Sequence, residues 1–282
     1  MDTLIRQFVR RLLRTPNDLG SAPAHAPEDE LLANDSEAYI IFEGAAARLG
    51  ELTAEGEGEA LTDSATSPGA FRIRLAQSQD SRTRAGKLVM RRYSFRGYRL
   101  KSVQVDPSLA TFVAYHQGHL VGTVSLRFDS PDGLAADELY HPELDELRHS
   151  GARLCEFTRL AVDVRMGSKP TLAALFHTAY LLAHQVRQYD TAVIEVNPRH
   201  VVFYRRALAF ELLGPERLSP RVNAPAVLLK VAFSQIQGEL LRFGGKPELG
   251  KTTHALFPYG FSPLEEQGIL GRLRQFYPAT GA

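Results

Sequence analysis

One cysteine, Cys155, stands among 282 residues, so an internal disulfide is excluded and a reducing compartment fits. Long apolar runs are missing too. No stretch approaches the roughly 20 apolar residues that a bilayer span requires, and the N-terminal residues show no apolar core followed by a small-residue cleavage site. The cytoplasm is therefore the expected location. An excess of one charge is also absent: 33 Lys and Arg stand against 32 Asp and Glu, a formal net charge of +1, which excludes the global field of a nucleic-acid binder. No G-x-S-x-G elbow occurs, and His177 and His184 lack a third ligand at metal spacing. Neither a serine hydrolase nor a metal centre is expected.

What the chain does have is 44 % hydrophobic residues, enough at this length for a substantial core in one domain with appendages. The opening MDTLIRQFVRRLLRT sets Leu4, Ile5, Phe8, Val9, Leu12 and Leu13 on one helical face, with Arg6, Arg10, Arg11 and Arg14 around the other. Such a helix suits docking on the protein's own surface or on a dimer partner. It equally suits peripheral contact of residues 1–14 with an anionic inner membrane surface. Residues 15–30 and 54–69 read as linkers, and DSEAYIIFEGAAARL between them as a second helix.

From residue 71 the pattern tightens. FRIRL alternates as a half-buried strand, a basic helix follows over about 80–93, and TFVAYHQGHLVGTVSLRF reads as a hairpin turning at Gln117 and Gly118. ARLCEFTRLAVD is a long strand, Ser168 and Pro170 open a well-marked helix, TAVIEV is a strand, NPRHVVFYRRAL a short helix and AVLLKVAF a final strand. The order β-α-β-β-β-α-β-α-β argues an α/β or α+β domain over residues 71–240. A helical N-terminal region, 1–70, precedes it and a C-terminal extension, 241–282, follows. GKPELGKT in that extension spells a phosphate loop, but helix-like GELLRF precedes it where a buried strand is needed, so the match is accidental.

Asn197, Tyr204 and Phe210 form an N-x6-Y-x5-F block that resembles the closing block of the Gcn5-related N-acyltransferases, whose mixed sheet flanked by helices has this element order. VGTVSLRF followed by CEFTRLAVD narrows the resemblance to the N-acyl amino acid synthases and the related acyl-homoserine-lactone synthases. The similarity spans about residues 71–240. Ordinary acetyltransferases hold the coenzyme A pyrophosphate on the amides of a glycine-rich turn at a helix N-terminus. RMGSKPTL carries Ser168 and Pro170 where that turn has glycines, and proline has no N–H to give. The resemblance thus implies the acyl-phosphopantetheine of acyl carrier protein as co-substrate, with acyl-coenzyme A as the alternative, and no permanently bound cofactor. An acidic carrier needs a basic landing surface, for which Arg84, Lys87, Arg91 and Arg92 are candidates. The same residues read as a solvated helix face. Without repeated aromatic platforms, nucleic acid is not an expected partner.

Amide formation from a thioester needs a neutral amine, a stabilised oxyanion and a proton for the departing thiolate. Glu156 interrupts an apolar strand, where burial raises a carboxyl toward the range of a usable base; its plainer reading is a core-edge glutamate paired with an arginine. Arg159 lies three positions on, so simple alternation sends it to the opposite face unless a bulge reunites the two. A bulged, splayed strand here is what the resemblance implies. Arg159 and Arg127 suit the carboxylate of an amino acid, with Thr158 beside them, although Arg127 also reads as a surface strand residue. Tyr204 holds the position at which the family protonates the leaving sulfur, and it also reads as a packed core residue. Asn197 is either a substrate contact or the end of its strand, and Cys155 a small buried hydrophobe. The acyl chain needs an apolar tunnel, roofed by residues 134–150 and the C-terminal segments.

The expected activity is transfer of a long-chain fatty acyl group from an acyl carrier protein thioester to the α-amine of an amino acid by direct attack. The alternatives are an acyl-homoserine-lactone synthase acting on S-adenosylmethionine, a coenzyme A-dependent N-acetyltransferase, and a non-enzymatic module that binds an anionic partner through the basic helix.

Overall fold

The computed structural model describes residues 39–45, 70–94, 106, 108–163 and 168–278. The expected helix of residues 1–14, both linkers and the eastern end of the basic stretch, residues 95–105, lie outside the described residues. Eight strands build one mixed sheet: β1 (Tyr39–Ala45), β2 (Ala70–Leu75), β3 (Ala110–His116), β4 (His119–Phe128), β5 (Leu154–Val162), β6 (Thr191–Val196), β7 (Glu211–Ser219) and β8 (Ala224–Ala232), in spatial order β1-β2-β3-β4-β5-β6-β8-β7. All neighbours run antiparallel except β5 and β6. Gln117 and Gly118 turn the β3–β4 hairpin with φ of 53° and 79°, the pair of positive φ values that matches the twist of the flanking strands.

The helices are α1 (Gln79–Ser94), α2 (Asp137–His149), α3 (Lys169–Tyr180, continued by a π-helical turn over Leu181–Val186), α4 (Val201–Leu208), α5 (Phe233–Phe243), α6 (Gly250–Thr253) and α7 (Pro263–Phe276). Ser168 caps α3 as its sequence position requires, its side chain accepting from the Thr171 N–H. On the front of the sheet, α1 covers Val113, Tyr115, Leu120 and Ala161, and α2 covers Leu154, Val193 and Leu228. On the back lies the main core, where Phe112, Leu126, Phe157, Leu175 and Phe233 gather with residues of α4, α5 and α7.

Three elements depart from the expectations. DSEAYIIFEGAAARL is not a helix over its described part: Tyr39–Ala45 is an edge strand paired with FRIRL, burying Ile41 and Phe42 and setting Glu43 opposite Arg72 in an ion pair of 2.7 Å. Its aromatic and β-branched run finds a sheet edge to pack on, and tertiary pairing overrides the helical spacing. Residues 137–149, unassigned from sequence, form α2 despite Pro142. A kink at Tyr140 (φ −126°, ψ 29°) restarts the helix there, so the proline falls in a first turn, where its missing N–H costs nothing. ELLGPERLS is β7, an edge strand with register shifts on either side of Gly214, the setting in which Pro215 is tolerated in a sheet. Gly214 is required there because a Cβ would lie 2.6 Å from the Tyr140 ring.

GKPELGKT forms no phosphate loop. It follows α5 and folds into a short 3-10 turn and α6, with Gly250 pressed on the Tyr259 ring.

The C-terminal segment is part of the main core rather than an appendage to it. Phe261, Ile269 and Leu273 are buried in the same cluster as Ile41 and Phe112, and Arg272 donates to the Ile41 carbonyl at 2.6 Å. Leu273→Ala is therefore expected to destabilise the whole fold by about 2–5 kcal/mol in a single cooperative transition, measured by urea unfolding; a separate early transition confined to the C-terminal segment would contradict this.

Candidate active site

Strands β5 and β6 pair through only three residues, Leu154 with Thr191, Cys155 with Ala192 and Glu156 with Val193, although β5 runs on to Val162 and β6 to Val196. Beyond Glu156 the sheet is open along this seam. β5 turns away by a bulge against β4: Thr123 faces Ala161 and Ser125 faces Thr158, so Arg159 and Leu160 stand opposite Val124 alone. Arg159 absorbs the extra residue at φ 52°, a conformation that costs a branched-chain-free residue about 1–3 kcal/mol. The bulge has the effect anticipated from the spacing, since Arg159 joins Thr123 and Ser125 on the front face, the face that also carries Glu156.

Glu156 sits at the apex of the seam and is 2 % exposed. Its Oε2 accepts from the amides of Ala135 at 2.7 Å and Ala136 at 3.3 Å, at the start of α2. Burial pushes its carboxyl up to about 7, against the pull of Arg221 and of the two amides. Sharing a face with Arg159 does not bring the two into one cavity, because Glu156 lines neither of the pockets that flank the seam.

On the front face, between α1 and strands β3, β4 and the β5 bulge, lies a polar pocket of about 260 Å³, counting space open to solvent, lined by Arg82, Asp106, Thr111, Thr123, Ser125 and Arg159 together with Ala85, Gly86 and Val89 of α1. The Thr111 and Ser125 hydroxyls bond each other at 2.8 Å, while the buried Thr123 hydroxyl has no hydrogen-bond partner among the described residues. Burial lowers the pKa of Arg159, the nearby Asp106 opposing the shift. Arg127 reaches the same Asp106 at 2.5 Å, and Asp106 is further held by the Ser108 amide at 2.9 Å. Asp106, Thr111, Thr123 and Ser125 were not singled out from sequence, and Arg82 belongs to the basic stretch read as a landing surface. The available signal was the alternation of Thr123, Ser125 and Arg127, a polar row on an otherwise apolar strand.

Behind the seam lies a second pocket, of about 410 Å³ counting space open to solvent, walled by Phe157, Phe176, Tyr180, Phe210, Leu256 and Phe257 among others. Phe157 is the first β5 residue past the last β6 pair, so the cavity begins where the seam opens. C-terminal residues line it, whereas residues 134–150, expected along with them to roof an acyl tunnel, do not: α2 packs on the opposite face, over Glu156. Tyr204 is buried beside this cavity, its ring edge-on to Phe176 at 6.4 Å and to Phe210 at 5.9 Å. Asn197 ends β6: its amide donates to the Pro225 carbonyl at 3.0 Å and its carbonyl oxygen accepts from the Arg199 N–H. Cys155 is fully buried. His177 faces the cavity from α3, and His184 contacts the Tyr189 carbonyl at 2.8 Å.

The basic residues of α1 are unevenly disposed. Arg92 is buried, Arg84 pairs with Asp80 at 2.6 Å and Arg91 with Asp163 at 3.2 Å. Lys87 and Arg91 project from the exposed face. No described helix is long and apolar enough to cross a membrane.

The sequence family described as N-acyl amino acid synthase FeeM matches residues 84–232. Among solved structures, FeeM itself, an N-acyl amino acid synthase from uncultured soil microbes, is 27 % identical and superposes with a TM-score of 0.56, covering 60 % of this chain and 94 % of that one. The acyl-homoserine-lactone synthase LasI is 15 % identical with a TM-score of 0.40, covering 58 % of this chain and 89 % of that one. An N-acetyltransferase from Staphylococcus aureus Mu50 is 13 % identical with a TM-score of 0.42, covering 58 % and 98 %. No curated protein sequence matches the chain. The mixed sheet with its flanking helices is thus the Gcn5-related N-acyltransferase-like fold expected from the sequence.

Because the Glu156 carboxyl is raised to about 7 in the folded chain from an ordinary 4.5, the folded state holds more protons than the unfolded state between those values, and stability must fall as pH rises through that window. Glu156→Gln removes the titration while leaving an acceptor for the two amides. Urea unfolding at pH 5 and pH 8 should show wild type losing a few kcal/mol that the variant keeps; parallel pH profiles would contradict the assignment.

Proposed function

The chain belongs to the FeeM family of N-acyl amino acid synthases and is an N-acyltransferase, and on that premise we propose that it moves a long-chain fatty acyl group from the thioester of acyl carrier protein to the α-amine of an amino acid by direct attack. The observation that carries this reading is the seam itself, with a buried carboxyl at its apex, an apolar cavity behind it and a polar cavity in front of the adjoining β5 bulge.

The thioester lies across the seam with its aliphatic chain in the rear cavity, where each buried CH₂ contributes about 0.8 kcal/mol. Its carbonyl oxygen faces the β5 amides that have lost β6 as a partner, which stabilise the oxyanion. The amino acid enters the front cavity, and its carboxylate meets the guanidinium of Arg159, which makes no hydrogen bond or ion pair with another described residue. Arg127 acts alongside by holding Asp106, with Thr158 on the adjoining β5 surface. The amine nitrogen attacks the carbonyl carbon, its proton passes through a water to Glu156, the C–S bond breaks, and Tyr204 supplies a proton to the thiolate. A water is needed because Glu156 is enclosed and outside both cavities. Its position near neutrality suits it to both accept and release that proton. Asn197 serves by fixing the end of β6 rather than by touching substrate.

A carrier protein is favoured over coenzyme A as donor because α3 has few amides to offer a pyrophosphate: Thr171 is capped by Ser168 and Pro170 has none. Lys87 and Arg91, with Arg84 behind them, would form the landing surface, and the buried Arg92 would not. This assignment places the enzyme in the cytoplasm, where the carrier is available, with residues 1–14 as a peripheral membrane contact.

Mass spectra of organic extracts from a bacterial host expressing the gene should contain an N-acylated amino acid; an acyl lactone, or no new product, would refute the proposal. With purified enzyme, Glu156→Ala should lower kcat by about 10²–10⁴, Arg159→Ala should raise KM for the amino acid by about 10–100-fold, and Tyr204→Phe should slow turnover only a few-fold, since a thiol of pKa about 8.5 leaves without much help. Equal activity of all three with wild type would remove these roles.

A further inference from the structure

We infer that the C-terminal segment, beyond the part of the chain that the family shares, is the gauge that selects the length of an unsubstituted aliphatic acyl chain. The inference rests on the acyl-transfer reading for its substrate, but not for the existence of the binding site. The family match ends at residue 232, yet Ile236, Leu240, Leu256, Phe257 and Gly260 all line the rear cavity. The sheet contributes Phe157 and the shared helices contribute Phe176, but the cavity is completed by residues that lie outside the matched region.

That wall is held in place at several points. The Leu256 amide donates to the Ala207 carbonyl at 2.9 Å, tying the wall to α4, and the Phe261 amide donates to His177 Nδ1 at 3.0 Å, tying it to α3. His177 Nε2 stands 3.0 Å from Glu266 on α7. Gly260 fits between these ties because it lacks a side chain, a Cβ there lying 2.8 Å from His177 Nδ1. A wall anchored to both helices cannot retreat to make room for extra methylenes, so the volume it encloses limits the chain.

The lining also limits the chain's chemistry. His177 and Tyr180 are its polar side chains: Nδ1 of His177 accepts from the Phe261 N–H, its Nε2 stands 3.0 Å from Glu266 without a hydrogen-bond partner among the described residues, and the Tyr180 hydroxyl accepts from Gln185 at 3.3 Å. The rest of the lining is aliphatic and aromatic, so along most of the wall a hydroxyl or keto group on the chain would lose its water without gaining a partner. The ligand class is therefore a straight, unsubstituted acyl chain.

The test uses two substitutions in the wall, Ile236→Phe to fill the cavity and Phe257→Leu to open it, with folding checked by circular dichroism. Displacement of a fluorescent fatty acid by a homologous series of straight-chain fatty acids reads binding without any transfer step. Ile236→Phe should weaken the longest chains by about fourfold for every methylene no longer seated and leave short ones unchanged. Phe257→Leu should move the preferred length upward, and either folded variant suffices if the other fails to fold. A 3-hydroxy fatty acid should displace the probe at least tenfold less well than its unsubstituted counterpart. An unchanged length profile in the folded variants, or no binding of the series by wild type, would overturn the inference. Wild type that binds the series with the expected variant shifts but acylates no amino acid would sustain the gauge and count only against the transfer reading.

Discussion

Three backbone pairs between β5 and β6 hold together a sheet of eight strands at the point where it is about to part. Had the pairing continued to the ends of both strands, the β5 amides past Glu156 would be spent on β6. Several features sustain the opening. The Arg159 bulge bends β5 away, keeping its partners on β4 through Val162. Phe157 fills part of the back of the gap, its ring tilted against that of Phe176 at 5.7 Å. Ala135 and Ala136 give Glu156 two amides, so that an enclosed carboxyl is tolerated at the apex.

The two sides of the seam differ in chemistry as an acyl transfer requires. The front cavity is lined by hydroxyls, guanidinium groups and a carboxylate, and the rear one almost wholly by aliphatic and aromatic side chains. This division follows from strand alternation. Thr123, Ser125 and Thr158 point forward, and Leu126 and Phe157 point back. Helix placement reinforces it, for α1 carries Arg82 over the front, while α3, α5 and the C-terminal segment close the back.

Much of this was legible in the sequence because its signals are local. The alternation in FRIRL and VGTVSLRF, the Ser168 cap and the Gln117–Gly118 turn each fix their element within a few residues. The placement of Glu156 in an apolar strand predicted its burial, and the three-residue spacing to Arg159 predicted that only a bulge could align them. What escaped depends on contacts distant in the chain. β1 is a strand because β2 is there to receive it, and α2 survives Pro142 through a kink at Tyr140, whose hydroxyl donates to the Ala226 carbonyl at 2.7 Å. Asp106 joins the front cavity beside Arg159 and bonds Arg127, 21 residues on. That Glu156 would be closed off by α2 could not be read from a segment that looked like a loop, nor could the burial of Arg92 be read from a uniformly basic run.

The most direct test of the open seam is a crystal structure with a hydrolysis-resistant dodecanoyl-pantetheine analogue. The chain should occupy the cavity between Phe157 and Phe257, with the carbonyl between β5 and β6 beside Glu156. An analogue bound on the outer surface, with β5 and β6 paired beyond Glu156 and Val193, would contradict the mechanism at its root.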